Sequence, residues 1–260
     1  MKRTLRTLRP VGTRRRALLG ALVLLVVASA SEATADDGTG PLGVTTTTGR
    51  SAQAARVGAL FPADRGSGLA GEHFCTASVV HSPHRNLIVT AAHCLDGKGS
   101  GDLVFAPGYR DGKAPHGLWK VGRLFLPDGW ADGQDEDSDV AFAVVEPQGE
   151  KGIEDVVGAN RFAAGVATGA TALTVTGYPD SRDVPISCTN KPTAHSSTQQ
   201  RIDCPDFSGG TSGSPWVNGN GQVVGVLGGH EQGGATDDIS YSVVFGEEAA
   251  ELYQDAASAP

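Results

Sequence analysis

The stretch Leu87-Ile88-Val89-Thr90-Ala91-Ala92-His93-Cys94 reads as an apolar strand that ends on a histidine beside a cysteine. Working outward, short β-rich runs recur at residues 57–61, 74–80, 103–105, 118–126, 140–145, 173–178, 186–188, 201–204, 215–217, 223–227 and 239–245. Gly, Pro, Asp and Asn separate them. Many short strands with this punctuation predict a sandwich or barrel, and the glycines supply the tight turns and corner bends that such folds require. Only residues 247–256 carry a run of good helix formers. The polar, Gly- and Ala-rich segment 149–169 is placed as the link between two halves, residues 56–150 and 151–260. No tandem repeat is visible.

At the N-terminus, Lys2, Arg3, Arg6, Arg9 and Arg14-Arg15-Arg16 precede an uncharged apolar run over residues 17–30. The run is shorter than the ~20 residues that cross a bilayer, and small-residue patterns follow at Ala28-Ser29-Ala30 and Ala33-Thr34-Ala35. Residues 1–35 are therefore expected to be a secretory signal peptide and the protein to be extracellular, an uncleaved anchor being the alternative. Thr13-Arg14-Arg15-Arg16-Ala17-Leu18 also resembles a twin-arginine signal. Residues 36–55 read as a flexible lead-in or short propeptide. Loss of the leader removes seven basic residues and one acid, so the formal charge of −8 becomes −14. Nucleic acid and anionic membranes are poor partners for such a chain, because both depend on clustered Lys and Arg.

The cysteines, Cys75, Cys94, Cys188 and Cys204, are even in number, which predicts two disulfides in an exported chain. Three pairings are possible. The sequence-local one, Cys75–Cys94 with Cys188–Cys204, closes two short loops worth about 3 kcal/mol each in the chain-entropy model. Zinc-ligand spacing is absent, and no metal or cofactor is expected. The acidic run Asp128, Asp132, Asp135, Glu136, Asp137 reads as a solvated loop; its spacing departs from an EF-hand, which leaves calcium as the lesser reading.

Three segments carry chemistry. The first is Thr90-Ala91-Ala92-His93-Cys94 with its partner Phe74-Cys75-Thr76-Ala77-Ser78. The second is Gly209-Gly210-Thr211-Ser212-Gly213-Ser214-Pro215-Trp216, a glycine-rich turn that presents a serine. The third is Ser138-Asp139-Val140-Ala141-Phe142-Ala143-Val144, an aspartate abutting an apolar strand. Together, over roughly residues 56–246, they resemble the chymotrypsin-like serine proteases of the secreted bacterial branch, with a nucleophile loop similar to that of trypsin-like enzymes and of glutamyl endopeptidases. The resemblance implies an all-β fold of two six-stranded antiparallel β-barrels with a short C-terminal helix. It also implies a secreted, monomeric serine endopeptidase that acts on protein or peptide substrates.

Within that resemblance His93 is the expected general base, Asp139 the carboxylate that orients it, and Ser212 the nucleophile. The amides of Gly210 and Ser212 are the expected oxyanion hole, and the cysteine beside His93 is expected to tie its loop to Cys75. Ser214 and Asp137 are the rival serine and carboxylate. The order His, Asp, Ser argues against an α/β-hydrolase, which needs Asp and then His after its serine. A catalytically weak or inactive binding protein on the same scaffold is the alternative reading. Thr211 stands where animal relatives carry the aspartate that pairs with a freed N-terminus, so that activation ion pair is not available, and Arg56-Val57-Gly58 reads as the approach to the first strand.

For specificity, Asp206 lies six positions before Ser212, where trypsin-like members hold a carboxylate, which implies Arg or Lys preference. Leu227, Gly228, Gly229 and His230 are expected to line the substrate pocket, Leu227 occupying the place of the histidine that glutamyl endopeptidases carry. His73, His81, His84, His116 and His195 are expected at the surface.

Overall fold

A computed structural model of the protein describes residues 41–64 and 68–260, so the expected leader at 1–35 lies outside the described residues. No helix among the described residues is long and apolar enough to cross a membrane. The first half is built from β2 (Val57–Pro62), β3 (Cys75–Val80), β4 (Leu87–Thr90), β5 (Leu103–Pro107), β6 (Trp119–Phe125) and β7 (Ala141–Val145). These close a six-stranded barrel in the order β2-β3-β4-β7-β6-β5, each pair antiparallel.

The apolar runs of β4 and β7 are continuous because both faces are buried. Ile88, Ala141, Ala143 and Val145 point into the barrel with Leu60, Phe105 and Trp119. Their neighbours Leu87, Val89, Phe142 and Val144 point outward, against Val217, Val226, Val243 and Phe245 of the second half. Side chains alternate across a strand, so one run of residues feeds two cores and leaves no polar face to show in the sequence.

The second half holds nine strands. A six-stranded sheet has the order β1-β10-β9-β13-β14-β8, from β1 (Thr45–Thr47), β8 (Arg161–Phe162), β9 (Leu173–Gly177), β10 (Ile186–Asn190), β13 (Pro215–Asn218) and β14 (Gln222–Val226). A three-stranded sheet joins β11 (Thr193–Ala194), β12 (Gln199–Asp203) and β15 (Ile239–Val243). One core serves both sheets: Leu173, Val175, Ile186, Trp216 and Val224 meet Ile202 and Phe207. At the seam, β14 meets β15 through side chains, the Ser242 hydroxyl accepting from Val226 N at 3.0 Å. Disulfides Cys75–Cys94 and Cys188–Cys204 are formed, and no cysteine is free.

The lead-in differs from expectation. Its residues 45–47 are not a flexible arm but strand β1, antiparallel to β10 with Thr45 opposite Cys188. Gly43 N donates to Thr189 O at 2.8 Å and Thr45 Oγ1 to Pro205 O at 2.6 Å. Threonines are good strand formers, and an edge strand with unpaired backbone groups recruits them; the turn-like composition around them hid this.

A helix over Glu247–Ser258 follows β15. Ala249, Leu252, Tyr253, Ala256 and Ala257 fall on one stripe and pack on the outer face of β7. Tyr253 stacks on Phe162 at 4.6 Å between ring centroids and donates its hydroxyl to His81 O at 2.8 Å. Glu247 and Glu248 sit in the first turn, where the helix dipole favours negative charge.

Candidate active site

Asp139 follows a one-turn 3-10 helix, Glu136–Ser138, and is fully buried between the halves. A buried carboxylate is costly unless hydrogen bonds replace water. Three donors do so here. Oδ1 accepts from His93 N at 2.9 Å, and Oδ2 accepts from His93 Nδ1 at 2.7 Å and from Gly229 N at 2.7 Å. Two bonds from one residue fix both the backbone and the ring of His93, whose side chain is 13% exposed. His93 itself lies on a single helical turn, Ala92–Leu95, anchored by the Cys75–Cys94 bond to the start of β3.

The Ser212 loop docks on the same two strands. Thr76 N donates to Ser212 O at 2.7 Å. Gly213, at φ +81, sits so close to β4 that a Cβ there would lie 2.1 Å from Thr90 Oγ1. Gly210 has φ +88 and a Cβ would come within 2.6 Å of Asp180 N and Tyr178 O, so only glycine fits. Its carbonyl accepts from Thr76 Oγ1 at 3.1 Å, and Thr76 Oγ1 in turn accepts from Tyr178 N at 2.9 Å. The Gly210–Thr211 peptide is thereby held in one orientation and the preceding one by Asp180 N donating to Gly209 O at 2.7 Å, while neither Gly210 N nor Ser212 N has a protein acceptor among the described residues. Ser212 is partly exposed. Two unpaired amides beside an accessible hydroxyl suit a developing oxyanion.

The rivals are placed elsewhere. Ser214 is wholly buried, packed so tightly on Gly177 that a Cβ there would lie 2.0 Å from its hydroxyl. Asp137 is exposed and accepts from Gln199 rather than from His93. Of the expected pocket residues, Gly228 packs against Asp139, where a Cβ would lie 2.7 Å from Oδ2, and Gly229 supplies the third donor. Leu227 is 4% exposed and turns into the second core beside Phe207. Asp206 is exposed at φ +71, away from that core. His230 is half-buried, stacked on His195 at 4.7 Å with Tyr241 edge-on to both, and its Nδ1 lies 3.4 Å from Glu136 Oε2.

His73 is the histidine whose expected surface position is wrong. It is 3% exposed, bonded through Nε2 to Pro179 O at 2.9 Å and caged by Phe61, Tyr109 and Tyr178. The adjoining Phe74-Cys75 draws it inward, and the cage backs the turn whose Asp180 N supports Gly209 O. Burial and a bond to Asp183 push the Tyr109 hydroxyl up; for Asp183, burial opposes ionisation, but bonds from Tyr109 and Gly71 N outweigh it and hold the carboxyl low. Thr76, Tyr178 and Gln199 support the site without having been singled out from sequence, since nothing in their neighbours distinguishes them. Among the described residues the one group close enough to share a metal is Cys75, His93 and Cys94, and its two sulfurs are bonded to each other.

The fold is that of a serine endopeptidase of the β-barrel type. The chain belongs to the trypsin-like peptidase domain family, whose model matches residues 75–226. Among solved structures it is similar to the protease Anisep from Arthrobacter nicotinovorans, at 25% identity and TM-score 0.69 over 83% of this chain and all of that one. It is also similar to the thermostable serine protease AL20 from an extremophilic microorganism, at 28% identity and TM-score 0.68 over 81% of this chain and all of that one. A Glu endopeptidase shares the fold at 19% identity and TM-score 0.66, over 85% of this chain and 99% of its own. No curated protein matches in sequence.

Proposed function

We propose that this chain is an exported serine endopeptidase in which His93, Asp139 and Ser212 form the catalytic triad. His93 takes the Ser212 proton as the hydroxyl attacks the peptide carbonyl. The Gly210 and Ser212 amides stabilise the oxyanion, His93 returns the proton to the leaving amine, and water then hydrolyses the acyl-enzyme. The observation that carries this reading is the buried Asp139 carboxylate, held by three donors of which two come from His93. Such a carboxylate sets the imidazole tautomer and stabilises the imidazolium that forms in each step.

The proposed leader is residues 1–35, with barrels over 56–150 and 151–260, and the working form is a monomer that needs no metal, nucleic acid or membrane. Arg or Lys preference at the cleaved bond rests on Asp206 alone, and cleavage-site profiling of a mixed peptide library reads it directly. The triad is tested by Ser212→Ala, which should lower kcat by about 10⁴-fold or more while leaving the fold intact. Ser214→Ala is the control. Retained turnover in the first, or loss only in the second, overturns the assignment.

A further inference from the structure

The third donor to Asp139 comes from Gly229 N, on the segment that follows β14, whereas Asp139 itself is carried by the turn Glu136–Ser138 of the first half. One side chain ties these two pieces of backbone together. Gln199, the first residue of β12, is 4% exposed. Its Nε2 donates to Glu136 O at 2.7 Å and to Asp137 Oδ1 at 2.8 Å, and its Oε1 accepts from His230 N at 3.4 Å. Gly229 is seated directly on that amide: at φ +79, a Cβ there would lie 2.4 Å from Gln199 Oε1.

We propose that Gln199 is a positioning residue for catalysis, fixing the spacing between the Glu136–Ser138 turn and the 229–230 segment so that Gly229 N and His93 Nδ1 meet the same oxygen of Asp139. The inference rests on the triad reading given above. An amide suits the task because donor and acceptor sit on one rigid plane, the donors facing first-half oxygens and the acceptor facing a second-half N–H. A hydrocarbon of the same size leaves those groups unpaired. A carboxylate presents no donor and faces Asp137 and Glu136 as like charges. Around the amide the charged and titratable groups are Glu136, Asp137, Asp139 and His230, and a parallel tie runs from Glu231 N to Glu136 Oε1 at 2.9 Å.

The test measures kcat and KM on a quenched fluorogenic peptide for Gln199→Met and Gln199→Glu, with Ser212→Ala alongside and near-ultraviolet circular dichroism to establish folding. Gln199→Met should lower kcat by about 10- to 100-fold with KM changed by less than about 3-fold, the scale on which small misplacements act. Gln199→Glu should fall further at pH 8 and recover toward the Gln199→Met value as the introduced carboxyl protonates at lower pH. Wild-type kcat and pH profile in both folded variants overturns the proposal. If neither folds, the exposed Asp137→Ala removes one of the two acceptors from the other side; a kcat lowered by about 3-fold or more supports the role, and an unchanged one overturns it. An active Ser212→Ala sinks the triad instead, whereas an inactive Ser212→Ala with unimpaired Gln199 variants sinks this inference alone.

Discussion

Thr76 shows how one small side chain can carry two jobs. Its hydroxyl donates to Gly210 O and accepts from Tyr178 N, which clamps the Gly210–Thr211 peptide, the one between the two amides of the proposed oxyanion hole, onto the first barrel. Thr76→Val keeps the shape and removes both bonds. Leaving the buried Tyr178 N unpaired costs about 1–3 kcal/mol of stability, and kcat should fall by about 10-fold or more as the peptide linking the Gly210 and Ser212 amides loses its anchor. Thermal unfolding together with steady-state kinetics checks the pair of effects, and a stable variant with unaltered kcat removes Thr76 from the site. At this scale the sequence was legible where a residue type is chemically forced. His93, Asp139 and Gly210 stand out by motif, and the structure brings His93 to Asp139. Thr76 and Gln199 do not, because a threonine within a β run or a glutamine at its start looks like any other until the partner strand is known.

Among elements, the strands were readable wherever an apolar run was bounded by turns, from β2 through β15, and unreadable where pairing alone makes the strand. β1, β8 and β11 are two or three residues long and expose part of their length, so they carry no periodicity to detect. The helical turn Ala92–Leu95 escaped for the same reason: four residues hold their shape through the Cys75–Cys94 bond rather than through helix propensity. That bond should therefore matter to chemistry more than its partner does. The double variant Cys75→Ser with Cys94→Ser frees the His93 turn and should lower kcat even where the protein stays folded. Breaking Cys188–Cys204, which joins β10 to the end of β12, should act chiefly on stability and KM. Comparison of kcat and KM for the two double variants decides between them, and equal effects on kcat would contradict the division of labour.

For the whole molecule, two segments near the limits of the described residues pack across from one half to the other. β1 is a strand of the second half's sheet, with Thr45 opposite Cys188, while the helix Glu247–Ser258 lies on the outer face of β7, with Tyr253 against Phe142 of the first half as well as Phe162 of its own. A chain ended at Gly246 uncovers that aromatic surface and forfeits on the order of 5 kcal/mol of apolar burial, comparable with the entire stability of a domain this size. It should appear as an aggregation-prone product without activity, as size-exclusion chromatography and a peptide-cleavage assay would show; a soluble, active truncated chain would mean that the helix is ornamental. The consequence reaches into the order of events in synthesis. Since the helix Glu247–Ser258 packs on β7, a nascent chain that has not yet gained those residues leaves the outer face of the first barrel bare, and the truncated variant therefore also tests whether activity can arise before that helix is made.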